Sequence, residues 1–342
     1  MAENDQRFIL LLNGLSIEDA VAAAQEAEKA GLDAVGVDDV YYDPFVVLTA
    51  IAAATSRIQL VTHIASWTRT PVTMARICRA LDIFSRGRLI LGLGSMPQRW
   101  NEDFHGIPWE APLRRMREYI ELVSLLWEAT PEAPVDYEGR FYRVSGLRVH
   151  EPPPRPHLPI FIGASRPAMM RMTGKWADGI LIIWNHTIPW LREVALPNLA
   201  EGARRAGRSP EELSLAVGKL ILVTDKPDQA RDVVRRHIAG TYLAIDYHRE
   251  LLTTHGFADE VAAGSAALAA GDREGAARAL SDPMVDTFAI IGSPQECRER
   301  MAEYTSVVDW VALSNPRGGM PRSENPGAVR RLIQSFGSRG GR

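Results

Sequence analysis

Leu89-Ile90-Leu91-Gly92-Leu93 is apolar at every position, and at five residues it is too short to be a buried helix. A strand with one wet face alternates polar and apolar residues. An unbroken apolar run is instead buried on both faces, as in a parallel sheet covered by helices. Gly179-Ile180-Leu181-Ile182-Ile183 has the same character. Working outward, helical periodicity over 71–84 leads into the first of these runs, and helical stretches over 166–176 and 190–206 flank the second. Six further apolar runs complete the series: Phe8–Leu12, Ala34–Val37, Ile58–Thr62, Pro159–Ile162, Leu215–Val223 and Trp310–Ser314. Helical patterns follow the first runs, over 44–54 and from Ile17 with Ser16 as N-cap; another, over 294–304, precedes the last run. Eight parallel strands alternating with helices predict an α/β fold of the (β/α)8 TIM-barrel class in a single domain. An open dinucleotide-binding sheet would need a GxGxxG turn after the first strand, and Leu12-Asn13-Gly14-Leu15 is not one.

Three insertions interrupt the alternation. Residues 95–111 are rich in Pro and Trp. Residues 130–158 contain VDYEGRFYRV, a hairpin pattern turning at Glu138-Gly139, and then EPPPRP. Residues 237–286 are Ala-rich and helical. Long insertions after barrel strands read as substrate covers. The whole chain has 342 residues, is 46% hydrophobic and carries a net charge of −3, which is ordinary for a globular protein and gives no basic surface for nucleic acid or membrane. The opening MAENDQR is polar and no apolar window approaches the roughly 18 residues of a membrane helix, so a cytoplasmic protein is expected. Cys78 and Cys297 read as reduced core thiols.

The segment richest in chemistry is Ile160-Phe161-Ile162-Gly163-Ala164-Ser165-Arg166-Pro167. A strand ends in small residues and a helix begins with Ser165 as its N-cap. Amides at such a start bind anions, Gly163 and Ala164 leave room for a phosphate, and Arg166 adds a charge-assisted bond. The same residues also describe a capped helix without a ligand. Gly92-Leu93-Gly94-Ser95 offers a second place for close approach of a flat molecule, or a simple turn. Asp38-Asp39 puts two carboxylates at the end of the second strand, to serve as a general base, as an acceptor for a ring N–H, or as partners of a helix start or an arginine. His63 ends the third strand, where it reads as a catalytic candidate at the barrel mouth or as a satisfied structural histidine. Asn101, Glu102, Asp103 and His105 match no metal-ligand spacing, and no metal site is expected. Trp67, Trp100, Trp109 and Trp184 either wall an aromatic pocket or pack the insertions.

Read in order, the blocks GLDAVGVDD, TSRIQLVTHI…RTPVTMAR, FSRGRLILGLGS…WNEDFHGIPW, MREYIELVSLLW, YEGRFYRVSGLRV, LPIFIGASRPAMMRMTGKWADG and FAIIGSPQECRERMAEY…VDWVAL cover nearly the whole chain. Together they resemble the luciferase-like superfamily, and within it the coenzyme F420-dependent methylenetetrahydromethanopterin reductase branch. The resemblance implies a barrel with an isoalloxazine-type ring at its C-terminal mouth. It implies a bulge in the third strand with a non-prolyl cis peptide supporting the ring, at His63 and Ile64. It places phosphate contacts at Gly163, Ala164 and Ser165, and other cofactor contacts at Asp38, Ser95 and Asn101.

Where sugar-phosphate dehydrogenases of the superfamily carry a His and a Glu, this chain has Asp39 and Pro97. The resemblance therefore implies reduction of an activated C=C or C=N bond of a small-molecule or peptide substrate rather than oxidation of an alcohol, with Asp39 as the substitute proton donor or acceptor. The cofactor implied is coenzyme F420, with Arg69, Arg99 and Arg166 near the mouth to meet an anionic tail; FMN in a monooxygenase is the alternative. A non-catalytic flavin-binding barrel is the third reading. The substrate pocket is expected from residues 95–111, 184–190 and 237–286, and a homodimer is expected from the family.

Overall fold

A computed structural model describes residues 6–152, 154–184 and 186–337. The strands, in chain order, are β1 (Arg7–Leu11), β2 (Ala34–Val37), β3 (Gln59–Thr62), β4 (Ala65–Ser66), β5 (Leu89–Gly94), β6 (Val135–Glu138), β7 (Arg143–Leu147), β8 (Ile160–Gly163), β9 (Gly179–Ile182), β10 (Ser214–Val223), β11 (Ala289–Gly292) and β12 (Trp310–Ser314). The chain divides into two compact units. One comprises Ala34–Leu181 and Val194–Leu215; the other comprises the described parts of Met1–Asp33, Ile182–Glu193 and Ala216–Arg342.

In the first unit β2, β3, β5, β8 and β9 pair in parallel, in that order. Every residue of β5 is buried, as its unbroken apolar sequence requires. Polar groups at the start of β5 are satisfied internally. Asp82, fully buried, accepts from the Leu89 amide at 3.1 Å and from Arg155 at 2.9 and 3.0 Å. Two helices of this unit, Pro167–Trp176 and Leu196–Arg205, cross with almost no side-chain spacer. A Cβ on Gly202 would lie 2.0 Å from the Arg171 carbonyl oxygen, and one on Gly174 would lie 2.2 Å from that of Leu199.

The antiparallel hairpin β6–β7 forms where the sequence places it, but its loop spans 139–142, closed by the Gly139 amide donating to the Tyr142 carbonyl at 2.9 Å. Its Val135, Tyr137, Tyr142, Val144 and Leu147 pack with Ala75, Leu122 and Leu126 of the helices Pro71–Ser85 and Pro112–Glu128. Glu118, 1% exposed, ties the loop down by accepting from the Phe141 amide at 2.8 Å and from Arg114 at 2.8 Å. Burial alone would raise its pKa, but these bonds outweigh it and the net shift is downward.

In the second unit β1 and β10 each pair in parallel with β12. The ten-residue β10 then runs on and pairs its end, Leu220–Val223, with β11. β11 escapes the sequence reading because four apolar residues beside a helical insertion carry no period of their own. Ser16 caps the helix Ile17–Lys29 through the Asp19 amide, and Ala20, Ala24 and Ala27 form its buried face. Residues 237–286 fold into short helices around Leu252, Leu280, Met284 and Phe288. The helix expected over 190–206 contains a π turn at Leu191–Ala195. Pro197, which has no N–H to continue the ladder, follows just after it.

Lys219 lies midway along β10 and is 2% exposed. Its Nζ donates to the Thr287 carbonyl at 3.2 Å and stands 5.3 Å from the Tyr304 ring. Burial first, and Arg300 second, push its pKa down to about 7.

Candidate active site

The candidate catalytic and cofactor-binding residues singled out in sequence fall in the unit built from Ala34–Leu181 and Val194–Leu215, at or beyond the C-terminal ends of β2, β3, β5 and β8. Parallel strands place these ends on one edge, where functional loops of α/β proteins gather.

The third strand is broken where the bulge is expected. β3 stops at Thr62, the His63–Ile64 peptide bond is cis, and β4 resumes the pairing with β5. Val61 opposes Ile90 and Ala65 opposes Leu93, so four steps on one strand face three on the other, which is the register of a bulge. The His63 amide donates to the Val37 carbonyl at 2.7 Å and Thr62 Oγ1 donates to the Gly92 carbonyl at 2.7 Å. His63 is buried and Ile64 is half-buried.

Glycines on the neighbouring strands receive this segment. A Cβ on Gly92 would sit 1.9 Å from the Thr62 carbonyl oxygen. On Gly94 it would sit 1.8 Å from Ile64 Cδ1 and 3.1 Å from Cγ1. On Gly163 it would meet Ile64 Cδ1 at 3.0 Å and Cγ2 at 3.4 Å. The space read in sequence as room for a ligand is thus occupied in good part by the Ile64 side chain.

Asp39 is fully engaged. Its Oδ2 accepts from the Ser66 amide at 3.1 Å and from Arg69 Nη1 at 2.6 Å, and its Oδ1 accepts from Arg69 Nη2 at 2.9 Å. Arg69 Nη2 also donates to Asp43 at 2.6 Å, while Asp43 caps the helix Pro44–Ala54 through the Phe45 amide. Burial would lower the Arg69 pKa, but the two carboxylates reverse that and raise it. Arg69 is therefore committed to structure and is not the tail-binding cation expected from sequence. The Tyr119 hydroxyl, donating to the Arg69 carbonyl at 2.9 Å, fixes the same segment from behind. Asp38, half-buried, precedes this network in the chain.

Asn101 is also spoken for. It is fully buried in the helix Gln98–His105; its Nδ2 donates to the Ser95 and Pro97 carbonyls at 2.7 and 3.0 Å, and its Oδ1 accepts from Trp67 Nε1 at 2.6 Å. It braces the loop that carries Ser95. Trp67 in turn pairs with Trp109 at 5.6 Å between ring centroids, and Trp100 pairs with Phe104. Arg99 is an exposed partner of Asp103. In the other unit, Trp184 lies over Gly218, where a Cβ would fall 2.3 Å from the indole.

At the end of β8 the Ala164 amide donates to the Leu181 carbonyl at 3.2 Å and so belongs to the sheet. Ser165 does not cap the next helix. The N-cap is Arg166, with no side-chain cap bond, because Pro167 occupies the first helical position. This leaves the Ser165 hydroxyl out of the helix. Ser165 is half-buried and Arg166 exposed, at the start of a ten-residue helix. Among the described residues no group of three or more His, Cys, Asp or Glu side chains is placed to hold a metal, and no helix is long and apolar enough to cross a membrane.

Parallel strands interleaved with helices, with a bulged third strand ending beside glycines, define a (β/α)8 barrel of the luciferase-like type. The sequence model of the family described as luciferase-like monooxygenase matches residues 4–309, and the chain belongs to that family of enzymes. It is 30% identical over 301 residues to the 5,10-methylenetetrahydromethanopterin reductase of Archaeoglobus fulgidus, covering 85% of this chain and 88% of that one. It is 28% identical over 299 residues to a putative coenzyme F420-dependent oxidoreductase of Mycobacterium tuberculosis, covering 81% and 85%. The solved coenzyme F420-dependent tetrahydromethanopterin reductase of Methanopyrus kandleri superposes with a TM-score of 0.82 at 24% identity, over 96% of this chain and 98% of that chain.

Proposed function

We propose that this protein transfers a hydride from reduced coenzyme F420 to an activated C=C or C=N bond of a small-molecule or peptide substrate, working in the cytoplasm as a homodimer of single-domain barrels. The observation carrying the reading is the bulge at His63–Ile64, set against glycine-ended strands, in a chain 30% identical to an enzyme named as a methylenetetrahydromethanopterin reductase. The residues fit a flat ring bearing a phosphoryl group. Ile64 offers an apolar floor, and the turn after β8 offers a hydroxyl, a guanidinium and a helix start.

When bound, a deazaflavin supplies hydride transfer without oxygen chemistry, whereas FMN supplies oxygen activation. The chain's part is to bind and orient. In this reading Gly163, Ala164 and Ser165 line the phosphate turn, with Arg166 giving charge, and Ser95 and Asp38 border the ring. Asn101 contributes by bracing Ser95. Asp39, already accepting three hydrogen bonds, enters the site as a positioning residue that holds Arg69 and the Ser66 amide behind the bulge, rather than as the proton donor or acceptor its sequence position suggests. His63 contributes through its backbone at the bulge. An FMN-dependent monooxygenase is the second reading, favoured by the family match itself.

Titrating the purified protein with F420 and with FMN, followed by fluorescence quenching, separates the two readings. Quenching by F420 at micromolar concentration, without oxygen uptake, is the expected result. Preferential FMN binding with oxygen consumption would replace the first reading by the second, and binding of neither would remove both. Arg166→Glu is expected to weaken F420 binding by about tenfold or more, the equivalent of one charge-assisted bond.

A further inference from the structure

We infer that Gly94 and Gly163 are positioning residues: they form a seat for the Ile64 side chain and so set the height of the floor on which a bound ring rests. The inference rests on the proposed cofactor site and deepens it. Glycine at a strand end is usually explained by turn geometry or by close approach of a ligand. Turn geometry describes neither of these two. Gly94 and Gly163 both lack a positive φ, so no left-handed conformation calls for glycine there. The heavy atoms that a Cβ at either position would meet first belong to Ile64, which follows a different strand.

The two contacts also differ in severity in a way that makes the seat testable. At Gly94 the added carbon would overlap Cδ1 at 1.8 Å and press on Cγ1 at 3.1 Å, so turning Cδ1 aside about the Cβ–Cγ1 bond still leaves the tighter-than-usual Cγ1 contact. At Gly163 the nearest approach is 3.0 Å, which a shift of a few tenths of an ångström accommodates. Behind Ile64 the segment cannot retreat freely. Gly92 already admits the Thr62 carbonyl, and the Asp39–Arg69 pair holds Ser66 two residues further on. A methyl group at 94 is therefore expected to push the Ile64 side chain outward, into the space the ring would take.

The test is a mutant cycle read by F420 titration, by the emission spectrum of the bound cofactor and by thermal midpoint. Gly94→Ala is expected to weaken F420 binding by about tenfold or more and Gly163→Ala by about threefold, following the order of the two overlaps. Ile64→Val deletes Cδ1, the atom both contacts share, and is expected to recover most of the affinity and the wild-type emission in each background. If Gly94→Ala does not yield folded protein, Gly163→Ala with and without Ile64→Val makes the same comparison. Losses that Ile64→Val leaves unrepaired would overturn the seat, and for Gly163 would return that glycine to phosphate approach. A fall in thermal midpoint with unchanged affinity and emission would also overturn it. Wild-type protein that binds no F420 would sink the functional reading instead, a result distinct from failure of rescue.

Discussion

Replacing Lys219 by Met is expected to stabilise this protein at neutral pH, and to do so less and less as the pH rises. The side chain is buried within β10, and its pKa stands at about 7 against an ordinary 10.5. The unfolded chain therefore binds a proton that the folded protein releases throughout the interval between those values. Since the unfolded state holds more protons there, stability must rise with pH across that window, by about 1.4 kcal/mol per unit where the difference is a whole proton. Below pH 7 both states are protonated and the burden is at its full extent. The depression from 10.5 to about 7 corresponds to roughly 5 kcal/mol at 1.36 kcal/mol per unit, to be read as an order of magnitude. Met keeps the apolar stem but leaves the Thr287 carbonyl without its donor, which costs about 1–3 kcal/mol. The net gain near pH 7 is then about 2–4 kcal/mol. With an unfolding entropy of about 2.1 cal/mol/K per residue over 342 residues, that is roughly 3–6 °C in midpoint. Thermal melts of both proteins from pH 6.5 to 9.5 give the difference curve. A difference independent of pH, or wild-type stability that falls between pH 7 and 9 relative to Lys219→Met, would refute the argument.

Glu118→Gln should destabilise the protein by about 1–3 kcal/mol at pH 7, because two donors lose their carboxylate. The folded pKa of Glu118 is lowered, so its contribution is present above the usual carboxylate range and fades as pH falls through the lowered value. The gap between wild type and Glu118→Gln in urea midpoints should accordingly close in acid, and a gap constant to pH 3 would contradict the assignment. Gly202→Ala places a carbon 2.0 Å from a backbone oxygen of the facing helix; an unfolding midpoint within 1 °C of wild type would mean the crossing is looser than described, whereas a loss of about 2 kcal/mol or more is expected.

The fold was legible because burial on both faces leaves an unmistakable mark. Residues 89–93 and 179–183 have no polar side to show, and each of the eight runs chosen on that ground became a strand. Capping was legible at Ser16, which meets the first turn directly. It failed at Ser165, where Pro167 fixes the helix start one residue later and leaves the serine outside it. β11 failed for a different reason: it pairs with the overhang of the ten-residue β10, the longest strand described, a tertiary fact with no local signature.

The placement of the candidate residues at the strand ends was legible, and their wiring was not. Sequence spacing brought Asp39, His63, Ser95 and Gly163 to the ends of four parallel strands, because strand order alone decides that. Which atoms then meet is decided by groups far apart along the chain. Asp39 looked like a proton carrier until Arg69, thirty residues on, closed over it; Asn101 looked like a ligand contact until Trp67 claimed its carbonyl. The glycines carry the sharpest version of this limit. A glycine announces that something comes close, but its own sequence does not say whether that is a phosphate, a backbone oxygen or, as at Gly94, the end of an isoleucine from the neighbouring strand. Because a Cβ at Gly94 and one at Gly163 would meet the same Cδ1 atom, one deletion at Ile64 should relieve both, and shared rescue of this kind is what separates a seat for a side chain from two independent openings for a ligand.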